Sequence, residues 1–145
     1  MKLNKDQFAE LFMQEFPDQK DKALEDIEFF GEVLGHVFYT NMLFHEPDLR
    51  KMLLTEENPV LIRKYCQFIE RMWLDGDDAV INIVAVSLLE DLSDDELCWF
   101  HFGKDISEDF KRYINTEVIP NNILMTQVSP LPYAGKRKRY KPEKQ

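Results

Sequence analysis

The sequence predicts an all-α fold: a single-domain bundle of about six to seven helices, one pair of them α-solenoid-like, with an extended basic C-terminal tail. Three observations carry that prediction. Apolar residues recur with helical spacing along most of the chain. Capping residues and prolines fall where helices should begin and end. A length of 145 residues fits one domain, and such a domain buries roughly 68–70% of its unfolded surface without help from a metal or disulfide. The division reads as an acidic helical domain over residues 1–120 and an extended, partly disordered basic tail over residues 121–145.

Asn4 followed by Gln7 approximates a capping box, and Phe8, Leu11, Phe12 and Phe16 then form one stripe that Pro17 ends. A long helix is expected from Asp21 to Phe44, with Ala23, Ile27, Phe30, Leu34, Val37 and Phe38 on its main face. Gly31 and Gly35 fall four apart inside it. Each costs roughly 1 kcal/mol against alanine, so a close helix approach is expected there. A short helix follows from Pro47 to Leu54. Asn58-Pro59 opens the next, whose inward face is Ile62, Tyr65, Cys66, Ile69, Met72 and Trp73. Asp75-Gly76-Asp77-Asp78 makes a tight turn into the apolar run Ala79–Leu89. That run is rich in β-branched residues, but its length and helical neighbours favour a central helix. Ser93 to Glu96 forms a capping box for a helix through Phe102, ended by Gly103. A last helix runs from about Ser107 to Ile119 and stops at Pro120.

Charge is divided along the chain. Residues 1–135 carry 26 acids and 12 bases, a formal −14, whereas Lys136–Gln145 carries six bases and one acid. An acidic body repels nucleic acid and attracts basic partners. The run Lys136, Arg137, Lys138, Arg139 and Lys141 would give nucleic acid only weak, salt-sensitive contact, and a solubilising end is the simpler expectation. The longest mostly apolar run, Ala79–Leu89, has 11 residues, against about 20 for a membrane span. The opening MKLNKDQFAELF lacks a signal-peptide apolar region. Cys66 and Cys98 both lie in apolar helical patterns and read as buried free thiols of a cytoplasmic protein.

The motifs argue against an enzyme. There is no P-loop, G-x-G-x-x-G, G-x-S-x-G, C-x-x-C or H-E-x-x-H. Cys98 and His101 share a helix face and would make half a zinc site, but a buried thiol beside a histidine accounts for them. Asp75, Asp77 and Asp78 resemble a fragment of a calcium loop without its terminal glutamate, so a solvated turn is expected. No metal or cofactor is expected. The strongest positive feature is the band Glu90, Asp91, Asp94, Asp95 and Glu96, with Asp75, Asp77 and Asp78 at the far end of the same helix. Acids at helix starts have a local cause in the free N–H groups and the dipole, yet the surplus over the whole body opposes folding by self-repulsion. A surface that must meet a basic partner explains it, with Trp99 and Phe102 as apolar anchors; core packing of both rings is the competing account.

The stretch from Trp73 through Leu92 resembles the central segment of small acidic all-helical immunity-type proteins of bacterial polymorphic and contact-dependent toxin systems. The matching elements are the D-G-D-D turn, Asn82 in the apolar helix, and the L-L-E-D-L end at Leu88–Leu92, with Phe110–Asn115 and Val118–Asn122 later. The resemblance covers roughly residues 8–122 and leaves out the basic tail. It implies binding rather than turnover: a cognate toxin domain, such as a basic nuclease, held against the acidic surface. The other classes open to this sequence are an α-helical scaffold or adaptor, and a weak nucleic-acid binder acting through the tail.

Overall fold

The computed structural model describes residues 1–133. The basic run Lys136–Lys141 lies outside them. The described chain is all-helical, with eight continuous helical rods and no strand. They are α1 (Lys5–Glu15), α2 (Lys20–Phe30), α3 (Gly35–Phe44), α4 (Leu49–Thr55), α5 (Pro59–Asp75), the rod 78–93, α8 (Glu96–Lys104) and the rod 108–121. The first long rod comprises α6 (Asp78–Ile83), a π turn (Val84–Leu88) and α7 (Leu89–Ser93). The second comprises α9 (Glu108–Tyr113), a π turn (Ile114–Val118) and α10 (Ile119–Asn121). No helix of the described residues is long and apolar enough to cross a membrane.

The starts follow the side-chain caps. Asn4 and Gln7 close a full capping box on α1. Asn58, Asp77, Asp95 and Ser107 each accept a hydrogen bond from a backbone N–H in the first turn of α5, α6, α8 and α9. α8 thus opens on Asp95 rather than Ser93, whose hydroxyl donates back to the Glu90 carbonyl at 2.9 Å.

Gly103, expected to end α8, lies inside it, since the helix runs on through Lys104 to its C-cap at Asp105, and three further features differ from the sequence expectation. The helix expected over 21–44 is two helices. Gly31 adopts φ +79°, a left-handed conformation, and its N–H bonds the Ile27 carbonyl, which ends α2. Gly31 has open space around it; Gly35 alone makes the close approach, since a Cβ there would lie 2.5 Å from Ile83 Cδ1. Pro120 does not stop the last rod. The π turn before it has already moved bonding to i→i+5, with Ile119 N–H on the Ile114 carbonyl, and the rod runs one residue further. The tail expected to extend from residue 121 is packed as far as residue 131. Met125 and Leu131 are buried, Asn115 clamps Leu131 by bonds of 2.9 and 2.8 Å, and Ser129 receives the Trp99 indole N–H.

The core is aromatic. α5 runs through it, and Phe68 meets Phe8 and Phe12 of α1 and its C-cap Phe16 edge-on at 5.5–6.0 Å, while Phe16 stacks on Tyr65 at 4.4 Å. At the other end of α5, Trp73 stacks on Phe110 at 4.8 Å. The N-terminal residues lace into the α5–α6 turn: Leu3 N–H bonds the Asp75 carbonyl, and Asp77 N–H bonds the Leu3 carbonyl. Gly76 at that turn has no room for a side chain, because a Cβ would lie 2.2 Å from the Met72 carbonyl oxygen.

Phe68→Ala should therefore lower unfolding free energy by about 3–5 kcal/mol, and Gly76→Ala by about 1–3 kcal/mol. Urea unfolding followed by circular dichroism measures both, and a Phe68→Ala loss below that of Gly76→Ala would contradict the packing described for α5.

Candidate functional site

The acids singled out from the sequence occupy two places. The rod 78–93 holds Asp77 and Asp78 at its start and Glu90 and Asp91 at its end, about 18–21 Å apart at 1.5 Å per residue. At the first end, Asp77 caps α6 by accepting from Val80 N–H at 2.9 Å, and Asp75 pairs with Arg71 at 3.4 Å. Asp78 is exposed in the first turn of α6, where the helix dipole favours it. This end is occupied by the N-terminal residues and by the helix start, so its carboxylates have local work.

At the second end the five acids divide. Glu90 accepts from Asn122 Nδ2 at 2.7 Å, and Asp95 caps α8 by accepting from Cys98 N–H at 2.9 Å. Asp91 is half-buried. Burial pushes its carboxyl above the ordinary carboxylate range, Arg50 opposes that rise, and Asp94, Glu90 and Asp48 add to it. Asp94 and Glu96 are exposed. Only the last two are open to a partner without disturbing a cap, a cross-element bond or a half-buried charge.

Trp99 is not an accessible anchor. It is 3% exposed, its Nε1–H donates to the Ser129 carbonyl at 3.0 Å, and Phe102 beside it is fully buried. Core packing explains both rings. The apolar side chains that α8 turns outward are Leu97, 50% exposed, and Phe100, 45% exposed, with Lys104 Nζ 5.2 Å from the Phe100 ring centroid. The phase set by the Asp95 cap was the sequence signal for this: positions 98, 99 and 102 turn in together, so 97 and 100 turn out.

The thiols are poorly placed for chemistry. Both are buried and free. Burial pushes Cys98 up to about 12, with Asp95 adding and Arg50 opposing, and raises Cys66 well above its ordinary value. His101 is buried beside α4, with Nδ1 2.6 Å from the Leu53 carbonyl and Nε2 3.7 Å from Glu56 Oε2. The cleft it lines with Leu53, Glu56, Pro59, Ile62 and Lys104 holds about 140 Å³, below the roughly 300 Å³ at which ligand pockets begin. No group of three or more metal-type side chains clusters among the described residues.

Sequence reasoning missed one polar cluster entirely. Glu70 of α5, 2% exposed, accepts from Ser107 N–H at 2.9 Å and from the Ser107 hydroxyl at 2.6 Å, while Ser107 Oγ accepts from Phe110 N–H. Lys111, also 2% exposed, pairs with Glu108 at 3.2 Å. A carboxylate from one helix thus holds the start of another. The only hint was its spacing, four residues after Cys66 on the inward side of α5. Burial lifts the Glu70 carboxyl above its ordinary 4.5; the two Ser107 bonds pull it back, Asp109 raises it and Lys111 lowers it.

Because the folded value lies above the unfolded one, folding favours the protonated acid. The cost is absent below pH 4.5 and grows as pH rises through the folded value. Relative to Glu70→Gln, the native chain should lose stability as pH rises above 4.5, read from urea midpoints across a pH series. A stability gap that stays flat over the range would remove the raised value.

No curated protein and no solved structure matches the chain. The sequence model of a domain family of unknown function, DUF7674, matches residues 9–119, from α1 into the last rod, and the chain belongs to that family.

Proposed function

We propose that this protein is a non-enzymatic binding module, an immunity-type inhibitor that captures and neutralises a toxin domain with a basic surface, such as a nuclease. The observation that carries the reading is the surplus of acids beyond those the helices use. Caps and local pairs account for Asp75, Asp77, Glu90 and Asp95. The 26 acids and 12 bases of residues 1–135 still leave a large negative excess, which self-repulsion makes unfavourable unless a partner offsets it. Asp94 and Glu96 stand next to the outward-facing Leu97 and Phe100. Apolar anchors rimmed by charge are the usual anatomy of a protein contact. The acids would steer a basic partner to that face, and such steering raises on-rates to about 10⁸–10⁹ M⁻¹s⁻¹. Two buried, unpaired thiols fit a reducing compartment, so the cytoplasm is the proposed site of action.

The test is affinity capture from the native host at low salt, followed by co-expression of each captured protein with this chain. The expected partner has a cationic surface, forms a salt-sensitive complex, and kills or arrests cells unless this chain is present. The Asp94→Lys/Glu96→Lys/Phe100→Ser variant should bind at least about tenfold more weakly with an unchanged thermal melt. A salt-insensitive complex with an acidic protein, or full affinity in that variant, would overturn the reading.

A further inference from the structure

Phe29 is the most exposed aromatic side chain among the described residues, at 82%. It sits in the last turn of α2, edge-on to Phe30 at 4.9 Å, just before the left-handed Gly31. The tip is held rather than frayed. Lys5 donates to the Val33 carbonyl and pairs with Glu32 at 3.8 Å, and His36 meets Ser87. Asn41 donates to Asp26 at 2.8 Å, which fixes the α2–α3 register. That register sets Phe30, 38% exposed, level with Val37, 41% exposed. Three apolar side chains are therefore presented on a braced hairpin.

The charge around them says what kind of group they meet. Residues 20–32 carry five acids and two bases. Both bases, Lys20 and Lys22, lie about 10–14 Å along the α2 axis from Phe29, and Lys22 is drawn to the His45 carbonyl. Glu25 lies one turn before Phe29 and Glu28 is adjacent, both exposed, whereas Glu32 beyond the cap is paired with Lys5, the one base held at the tip among the described residues. A second copy of this tip would bring like charges together, which opposes self-association. We infer that the α2–α3 tip is a docking surface for a cationic partner segment that places an apolar side chain between lysines or arginines, seated on Phe29, Phe30 and Val37 and flanked by Glu25 and Glu28. The inference rests on the binding-module reading but not on the α8 face.

The probe is a synthetic leucine–lysine amphipathic peptide titrated into the ¹⁵N-labelled full chain, with a leucine–glutamate peptide and oligolysine as controls. Amide shifts should concentrate at residues 25–37, and oligolysine should bind more weakly for want of an anchor. Phe29→Ser and, separately, Glu25→Lys/Glu28→Lys should each lower affinity at least about tenfold. Phe29 is exposed enough that its replacement leaves the fold intact, which the unchanged remainder of the spectrum checks. Shifts confined to α8 would overturn the tip while leaving the proposed function standing, and no peptide binding at any face would count against both. A dimer in solution that Phe29→Ser dissolves would also overturn the inference, because a second copy would then be the occupant. Shifts at the tip only after deletion of residues 134–145 would assign it to the chain's own basic end and overturn it too.

Discussion

The packing of Phe68 against the phenylalanines of α1 and its C-cap is the interaction on which the rest is built. It fixes α1 along α5, and with α1 in place Lys5 can reach Val33 and Tyr39 can donate to the Lys5 carbonyl at 2.7 Å. α3 is thereby seated, and Gly35 can lie against Ile83 of the rod 78–93. On the opposite end α5 supplies Trp73 to Phe110 and Glu70 to Ser107, so α9 takes its position from the same helix. One rod serves as the reference for both halves of the bundle. The aromatic content matters through these ring contacts, each worth about 0.5–1.5 kcal/mol beyond the area buried.

Helix starts were legible because their cause is local. An Asn or Asp side chain reaches an N–H three residues on, so Asn4, Asn58 and Asp77 can be read without knowing the neighbours. Ends and interruptions were less legible. Gly31 and Gly35 have the same spacing in sequence but different work, one a left-handed cap and the other a point of contact, and only the position of Ile83 tells them apart. The π turns at 84–88 and 114–118 leave no pattern in composition. The packed stretch after residue 121 was hidden by its prolines and polar residues, because its order comes from four tertiary bonds and two buried side chains rather than from propensity.

The acidic band shows how one residue type can hold two meanings. Asp94 and Asp95 are neighbours and both exposed, yet only Asp95 has work in the fold, closing the first turn of α8. Sequence proximity groups them; geometry separates them. The same applies to Trp99 against Leu97 and Phe100, where one helical step decides between core and surface. Charge surplus remains a property of the whole body, and exposed carboxylates on many elements, those at 25, 28, 94 and 96 among them, put it at the boundary with solvent.

The clamp between Asn115 and Leu131 changes what counts as the folded unit. Leu131 lies over Gly103, close enough that a Cβ there would meet its Cδ2 at 3.1 Å, and the same strap covers the Trp99 indole. Truncation at residue 120, where composition turns polar and proline-rich, would strip a buried leucine and methionine from the bundle and leave an indole N–H without its acceptor. The smallest piece that keeps its own lining intact ends after Leu131, not at the last helix.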